Sequence, residues 1–200
     1  YGEGDVFWGI TVPEQRAIAK MHTDASLDDI KKLLHDPVHE CRLTALLILV
    51  QQYSKSSGDA QKNIAEFYLS NAEKINNWDL VDLTASKILG HYLFDKDRAI
   101  LYKLAESTSL WEQRIAVVST YHFIKNMDFG DTLSLCEKLI NHKHDLIHKA
   151  TGWMLREAGK RDLKVLTGFL DKHCKSMPRT MLRYAIEKLD DSQRKKYMAK

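Results

Sequence analysis

Glycine and proline are scarce in this chain, with nine and three in 200 residues, about half the combined share of an average protein. That scarcity excludes collagen-like, low-complexity and turn-rich all-β architectures. Cysteine is scarce as well. Cys41, Cys136 and Cys174 are an odd number, far apart and without a Cys-x-x-Cys pair, so reduced thiols in a cytoplasm are expected rather than a disulfide framework. Long hydrophobic runs are missing: the longest, Ala45 to Val50, is far short of the roughly 20 residues that span a bilayer. No signal-peptide pattern opens the chain, and its start at Tyr1 rather than Met predicts that N-terminal residues are missing. There is no P-loop, no Gly-x-Gly-x-x-Gly and no nucleophile elbow, which leaves nucleotide hydrolysis and dehydrogenase chemistry without support.

What is present is ordinary globular usage, 44% hydrophobic and 28% charged residues, enough for a substantial core in one domain of 200 residues. The net charge of +3 conceals an asymmetry. Residues 1–100 carry 11 Lys and Arg against 15 Asp and Glu, whereas residues 138–200 carry 16 against 7. A basic half on a nearly neutral chain is the pattern of an electrostatic footprint for a polyanion. A solvated face of Lys-rich helices would read the same way.

Hydrophobic period predicts helix after helix: Pro13–Met21, Leu27–Leu34, Pro37–Tyr53, a segment through Ile64, Phe67, Tyr68 and Ile75, then Trp78–Leu89. Asp97–Glu106, Leu110–Lys125, Asp131–Asn141, Asp145–Glu157, Leu163–Cys174 and Pro178–Leu189 follow. No stretch alternates cleanly enough for a strand. The class is all-α. An alanine recurs in every second helix, at Ala45, Ala85, Ala116, Ala150 and Ala185, with intervals of 40, 31, 34 and 35 residues. That is the period of paired-helix solenoids, in which hairpins stack because one hairpin cannot bury both apolar faces alone. The expected architecture is a single α-solenoid over 1–200, built of HEAT-like antiparallel hairpins with a concave face. An irregular helical bundle is the alternative.

In Trp78-Asp-Leu-Val-Asp82, Trp78 and Asp82 are i and i+4, so a ring and a carboxylate share one helical face. Asp82 stands between Val81 and Leu83 in an otherwise apolar stretch, as either a buried pairing residue or a functional one. Trp111 opens Trp-Glu-Gln-Arg114, and Trp153 lies in Ala150-Thr-Gly-Trp153-Met-Leu-Arg-Glu157. Tryptophans so placed also serve as core. His144 and His148 make an i, i+4 pair beside His142, but no Cys or well-placed carboxylate completes a metal site, and solvated loop histidines are the expectation.

These segments, with Gly9-Ile-Thr-Val-Pro13-Glu-Gln-Arg16 and Met177-Pro-Arg-Thr-Met-Leu-Arg-Tyr-Ala-Ile-Glu187, resemble in order the AlkD-type DNA alkylation repair glycosylases. The resemblance implies a HEAT-like solenoid whose concave face binds duplex DNA and excises N3- and N7-alkylated purines, with no cofactor and no membrane. It matches Trp78 and Trp153 to the two pocket tryptophans, Asp82 to the catalytic aspartate, and Arg114 to the arginine beside the scissile nucleotide. It further implies that the lesion is not flipped into a deep pocket. The resemblance also implies an N-terminal helical segment ahead of Gly-Ile-x-x-Pro, which this sequence begins too late to show.

The chemistry is coherent in its own terms. Cleaving an N-glycosidic bond builds oxocarbenium character on the sugar, which a fixed carboxylate stabilises. An N3- or N7-alkylated purine is already cationic and leaves without a strong general acid, so a single aspartate suffices. Tryptophan faces favour a cation, and Arg114 suits a phosphate. Lys149, Arg156, Lys160, Arg161, Arg179 and Arg183 are the candidate DNA-backbone contacts, although Arg156 could pair with Glu157 or Asp162, and Arg183 could bind helix carbonyls. The expected state is a monomer acting on alkylated duplex DNA. A HEAT-like binding module without catalysis is the alternative from another class.

Overall fold

The computed structural model describes residues 4–199. Its elements are helical throughout the described residues, apart from one isolated parallel bridge between Val6 and Val38. Contacts divide the chain into two compact units, the first ending at Asp95 and the second beginning at Lys96. None of the described helices is long and apolar enough to cross a membrane.

The first unit contains α1 (Val12–Met21), α2 (Leu27–Leu34), α3 (His39–Lys55), α4 (Gly58–Ser70), α5 (Trp78–Asp82) and α6 (His91–Leu93). Pro13 sits in the first turn of α1, where its missing N–H costs nothing. The Glu14 carboxylate reaches back to accept the Thr11 N–H at 2.8 Å. Ser26 caps α2 by accepting the Asp29 N–H. Central to the unit is α3, buried from His39 to Leu49 except at Cys41 and packed against α1, α2, α4 and α5. The buried stretch is apolar from Leu43 onward apart from Thr44, and its first turn buries the polar His39, Glu40 and Arg42.

Two differences from expectation bear on function. The segment after Trp78 is not one helix to Leu89. Helix α5 stops at Asp82, and a π-helical turn, Ser86–Gly90, follows, with the Gly90 N–H donating to the Ala85 carbonyl five residues back. Such inserted turns are common at functional sites. Likewise α3 begins at His39 rather than Pro37, because Val38 is extended and pairs with Val6.

The second unit contains α7 (Ala99–Ala105), α8 (Leu110–Ser119), α9 (Tyr121–Lys125), α10 (Gly130–Lys138), α11 (Asp145–Arg161), α12 (Leu163–His173), α13 (Arg179–Ala185) and α14 (Asp191–Met198). The expected helix Leu110–Lys125 is divided at Thr120, and α14 was not anticipated. Helix α11 is the axis of the unit, packed against α8, α9, α10, α12 and α13. Close approach is possible because α11 carries Gly152 toward α13 and Gly159 toward Leu166 of α12, positions where an added Cβ would collide. Leu155, Leu166, Phe169, Leu170, Met181 and Leu182 form the core beside them, each contributing about 1.5–3 kcal/mol on burial. All five recurring alanines are buried, at 1% exposure or less.

Candidate functional site

In the first unit the site begins from a short helix. A five-residue helix has little stability of its own, so α5 depends on what anchors its N-terminus. Asn77 caps it, its Oδ1 accepting the Trp78 N–H at 2.7 Å, and Asp79 Oδ1 accepts the Leu80 N–H at 2.9 Å. Both residues are tied to a buried polar cluster. Asn77 Nδ2 donates to Asp5 Oδ2 at 2.7 Å. His39 places Nε2 2.8 Å from Asp79 Oδ2 and Nδ1 3.3 Å from Asp5 Oδ2. Arg42 pairs with the other oxygen of Asp5.

Burial works against charge on these groups, yet partners outweigh it. The Asp5 carboxyl, raised by desolvation, is held below its ordinary range by hydrogen bonds from Asn77 and Arg42. His39 is lowered by desolvation, but the hydrogen bond and charge of Asp79 and the charge of Asp5 lift it above its ordinary value. None of this was evident in the sequence.

Trp78 emerges from this anchored end with 47% of its surface exposed. Asp82 is half-buried one turn later on the same helix. Behind it, Leu80 and Val81 are fully buried, which fixes which way Trp78 and Asp82 face. Tyr68 is near enough for the Asp82 charge to add to the upward push that burial exerts on its phenol, and its hydroxyl meets Thr84 Oγ1 at 2.9 Å.

The N-terminal segment adds further exposed aromatics. Phe7 and Trp8 are 54% and 65% exposed, and the Phe7 ring lies 4.9 Å from that of His39. The segment is held by Glu40, whose carboxylate accepts the Trp8 and Gly9 N–H groups.

In the second unit, Lys149, Trp153, Arg156 and Lys160 fall at spacings of four, three and four along α11, hence on one face. Opposite them Ile147, Ala150, Met154 and Ala158 are buried. Trp153 is half-buried and its ring lies 5.8 Å from Tyr121. Lys125 and Arg161 both approach the Tyr121 face, at 4.5 and 5.7 Å. Tyr121 was missed in the sequence; the signal available was its place beside Lys125, one turn along.

The basic residues are mostly paired. Lys149 Nζ is 2.8 Å from Asp145. Glu157, 5% exposed, gathers Lys160 at 2.6 Å, Arg161 at 3.4 Å and Arg156 at 3.9 Å. Arg156 pairs more closely with Glu187 than with Glu157, and Asp162 instead caps α12 by accepting the Lys164 N–H. Arg179 and Arg183 are exposed on α13. Arg183 lines a cleft of about 460 Å³ between α13 and α14, shared with Glu187, Asp191, Arg194 and Lys195.

Arg114 lies deep. It is 4% exposed, and Nη1 donates to the Leu146 carbonyl at 2.5 Å, fastening α8 to the first turn of α11. The histidines serve as caps: His144 Nδ1 accepts the Leu146 N–H at 3.1 Å and His142 Nδ1 the His144 N–H at 3.0 Å. Among the described residues no group of three His, Cys, Asp or Glu side chains is placed to hold a metal ion.

Residues 1–189 match a family model described as DNA alkylation repair enzyme. No curated protein matches. Among solved structures, a predicted DNA alkylation repair enzyme from Enterococcus faecalis is similar with a TM-score of 0.75. It is 17% identical, over 94% of this chain and 90% of that one, which shows a shared fold.

Proposed function

Because the chain belongs to the DNA alkylation repair enzyme family, we propose that it is a DNA glycosylase releasing N3- and N7-alkylated purines from duplex DNA. The observation that carries this reading is the exposed Trp78 with Asp82 one turn later, on a short helix whose first turn is pinned to a buried charge cluster. A carboxylate stabilises a transition state only if its position is set beforehand, and these anchors set it.

In the reaction the bond between C1′ and the purine nitrogen breaks, and its electron pair neutralises the cationic base. The sugar carries oxocarbenium charge, which Asp82 faces. Water adds to C1′ and passes its extra proton to bulk solvent, and the same carboxylate can orient that water. Trp78 covers the sugar with an electron-rich face. In the second unit Trp153, with the face formed by Lys149, Arg156 and Lys160, contacts the DNA backbone, joined by Arg179 and Arg183. Arg114 is assigned to a phosphate, which must press against α8 to reach a guanidinium so nearly enclosed. The protein acts as a monomer, needs no cofactor, and reads the lesion without a deep base pocket.

The test is single-turnover base release from methylated duplex DNA at saturating enzyme. Asp82→Asn should slow release by about 100- to 1,000-fold, the effect of losing one placed electrostatic stabiliser, and leave affinity for uncleavable duplex intact. Equal rates would sink the mechanism. A parent that binds DNA and releases no base would make the protein a non-catalytic HEAT-like binding module.

A further inference from the structure

The imidazole of His39 sits between two carboxylates, one on each ring nitrogen, with all three side chains largely enclosed: 5% exposed for His39, 9% for Asp5 and 16% for Asp79. A neutral imidazole has one N–H and can donate to one carboxylate; only the imidazolium donates to both. Counting Arg42, the four charges sum to zero when His39 is protonated and to minus one when it is not. An uncompensated buried charge is costly. The charged groups facing the ring are Asp5 from the N-terminal segment, Asp79 from α5 and Arg42 one turn along α3. Glu40, the next residue, turns its carboxylate to the backbone of Trp8 and Gly9.

The side-chain polar anchors at the start of α5 all pass through this cluster. Asp79 bonds His39 through one oxygen and the helix backbone through the other. Asn77 bonds Asp5 through its amide nitrogen and caps the helix through its oxygen. Deprotonating His39 removes a donor from one of the two carboxylates and leaves the cluster with surplus negative charge. With no length of its own to hold it, α5 then shifts.

We infer that His39, as an imidazolium bridging Asp5 and Asp79, is a positioning residue that sets the orientation of α5 and with it Trp78 and Asp82. The role in base release rests on the glycosylase reading above; the coupling between His39 and α5 does not. Burial disfavours the imidazolium, but the Asp79 and Asp5 carboxylates outweigh it and leave His39 with a raised pKa, so the productive arrangement is lost as pH rises through that raised value.

Two measurements on the full chain test this. The first follows the His39 imidazole and the Trp78 indole N–H by NMR across pH. Both should report one midpoint, raised from the ordinary histidine value of 6.5, and Asp79→Asn should move it down for both. The second is single-turnover base release. His39→Gln, which keeps a donor and an acceptor, should slow release by about 10- to 100-fold, as a small misplacement of a reacting group does. It should also abolish the alkaline fall in rate and leave affinity for uncleavable duplex unchanged. If the parent releases no base, the glycosylase reading fails, while the shared midpoint and its shift in Asp79→Asn still decide whether His39 sets α5. A Trp78 resonance indifferent to His39 titration overturns the inference. So does a His39→Gln enzyme with the parental rate and pH profile. If His39→Gln does not fold, Asp79→Asn alone decides, since its alkaline limb must fall at lower pH.

Discussion

Gly152 on α11 lies directly against the main-chain carbonyl of Met181 on α13: a Cβ there would stand 2.5 Å from that oxygen and 2.6 Å from the Cβ of Tyr184. Backbone on one side and a side-chain root on the other cannot move cheaply. Gly152→Ala should therefore destabilise the second unit by about 1–3 kcal/mol, the range of overpacking, and disturb Trp153 next to it. Gly168 on α12 has nothing within 4 Å of its would-be Cβ. There alanine should stabilise by up to about 1 kcal/mol through helix propensity. Urea unfolding of the two variants checks both signs.

The apolar period made most helices legible, because burying one face of each is what holds them. It failed where the physics leaves no periodic mark. Val81, Ala85, Ile88 and Leu89 are all buried, so the pattern runs on through the π-helical turn and gives no sign of the break after Asp82. Helix α14 was invisible for the opposite reason: among its residues only Tyr197 is buried, and no stripe exists to read. Trp78 and Asp82 were legible as a local i, i+4 pair. Asp5, His39 and Asp79 lie 34 and 40 residues apart along the chain, and no spacing rule joins them. The depth of Arg114 had a local signal, the run Ile115-Ala-Val-Val118 that follows it, which is core.

Glu157 holds Lys160 and Arg156 of the proposed DNA-binding face, and Arg161 beside them. Glu157→Gln should free Lys160 and Arg161 for phosphate, since Arg156 stays paired with Glu187, tightening DNA binding while steepening its decline with salt. One added phosphate contact corresponds to a change of about 0.9 in the slope of log K against log salt. Lys160→Ala and Lys149→Ala should do the reverse, each lowering the slope by about 1 without changing sequence preference. The same Glu157→Gln change should cost about 1–3 kcal/mol of stability, since a buried acceptor of several bonds is weakened. Titrations of undamaged duplex at several salt concentrations test this, and an unchanged slope would remove α11 from the interface.

Stability should also respond to pH through the cluster under α5. Asp5 has a lowered pKa, so its contribution is present above its unfolded value of 3.8 and lost as pH falls through the folded one. His39 has a raised pKa, so its contribution is full below its unfolded value of 6.5 and lost as pH rises through the folded one. The two windows overlap between 3.8 and 6.5, where the cluster supports the first unit most. Urea midpoints measured from about pH 4 to about pH 9 should fall on the alkaline side, and His39→Gln should flatten that limb. A midpoint that climbs on the alkaline side in the parent would contradict the assignment.

Arg114 and Asp82 should separate in their response to substitution, because Arg114 is nearly enclosed and Asp82 is half-buried. Arg114→Ala removes the donor to the Leu146 carbonyl inside the α8–α11 contact, leaving a buried acceptor without that bond at a cost of about 1–3 kcal/mol. It should thus lower the unfolding midpoint, weaken DNA binding, and slow base release together, since a phosphate contact acts in both ground and transition states. Asp82→Asn is nearly isosteric on a half-buried helix face and should leave the midpoint within about 1 kcal/mol of the parent. Its loss should appear in the chemical step alone, because the negative charge is needed only once the sugar becomes positive. Measuring unfolding, affinity on uncleavable duplex and single-turnover release for both variants resolves the two roles. If Arg114→Ala keeps the parental affinity once its stability loss is allowed for, Arg114 is a structural fastener and the phosphate belongs to the exposed cations of α11 and α13.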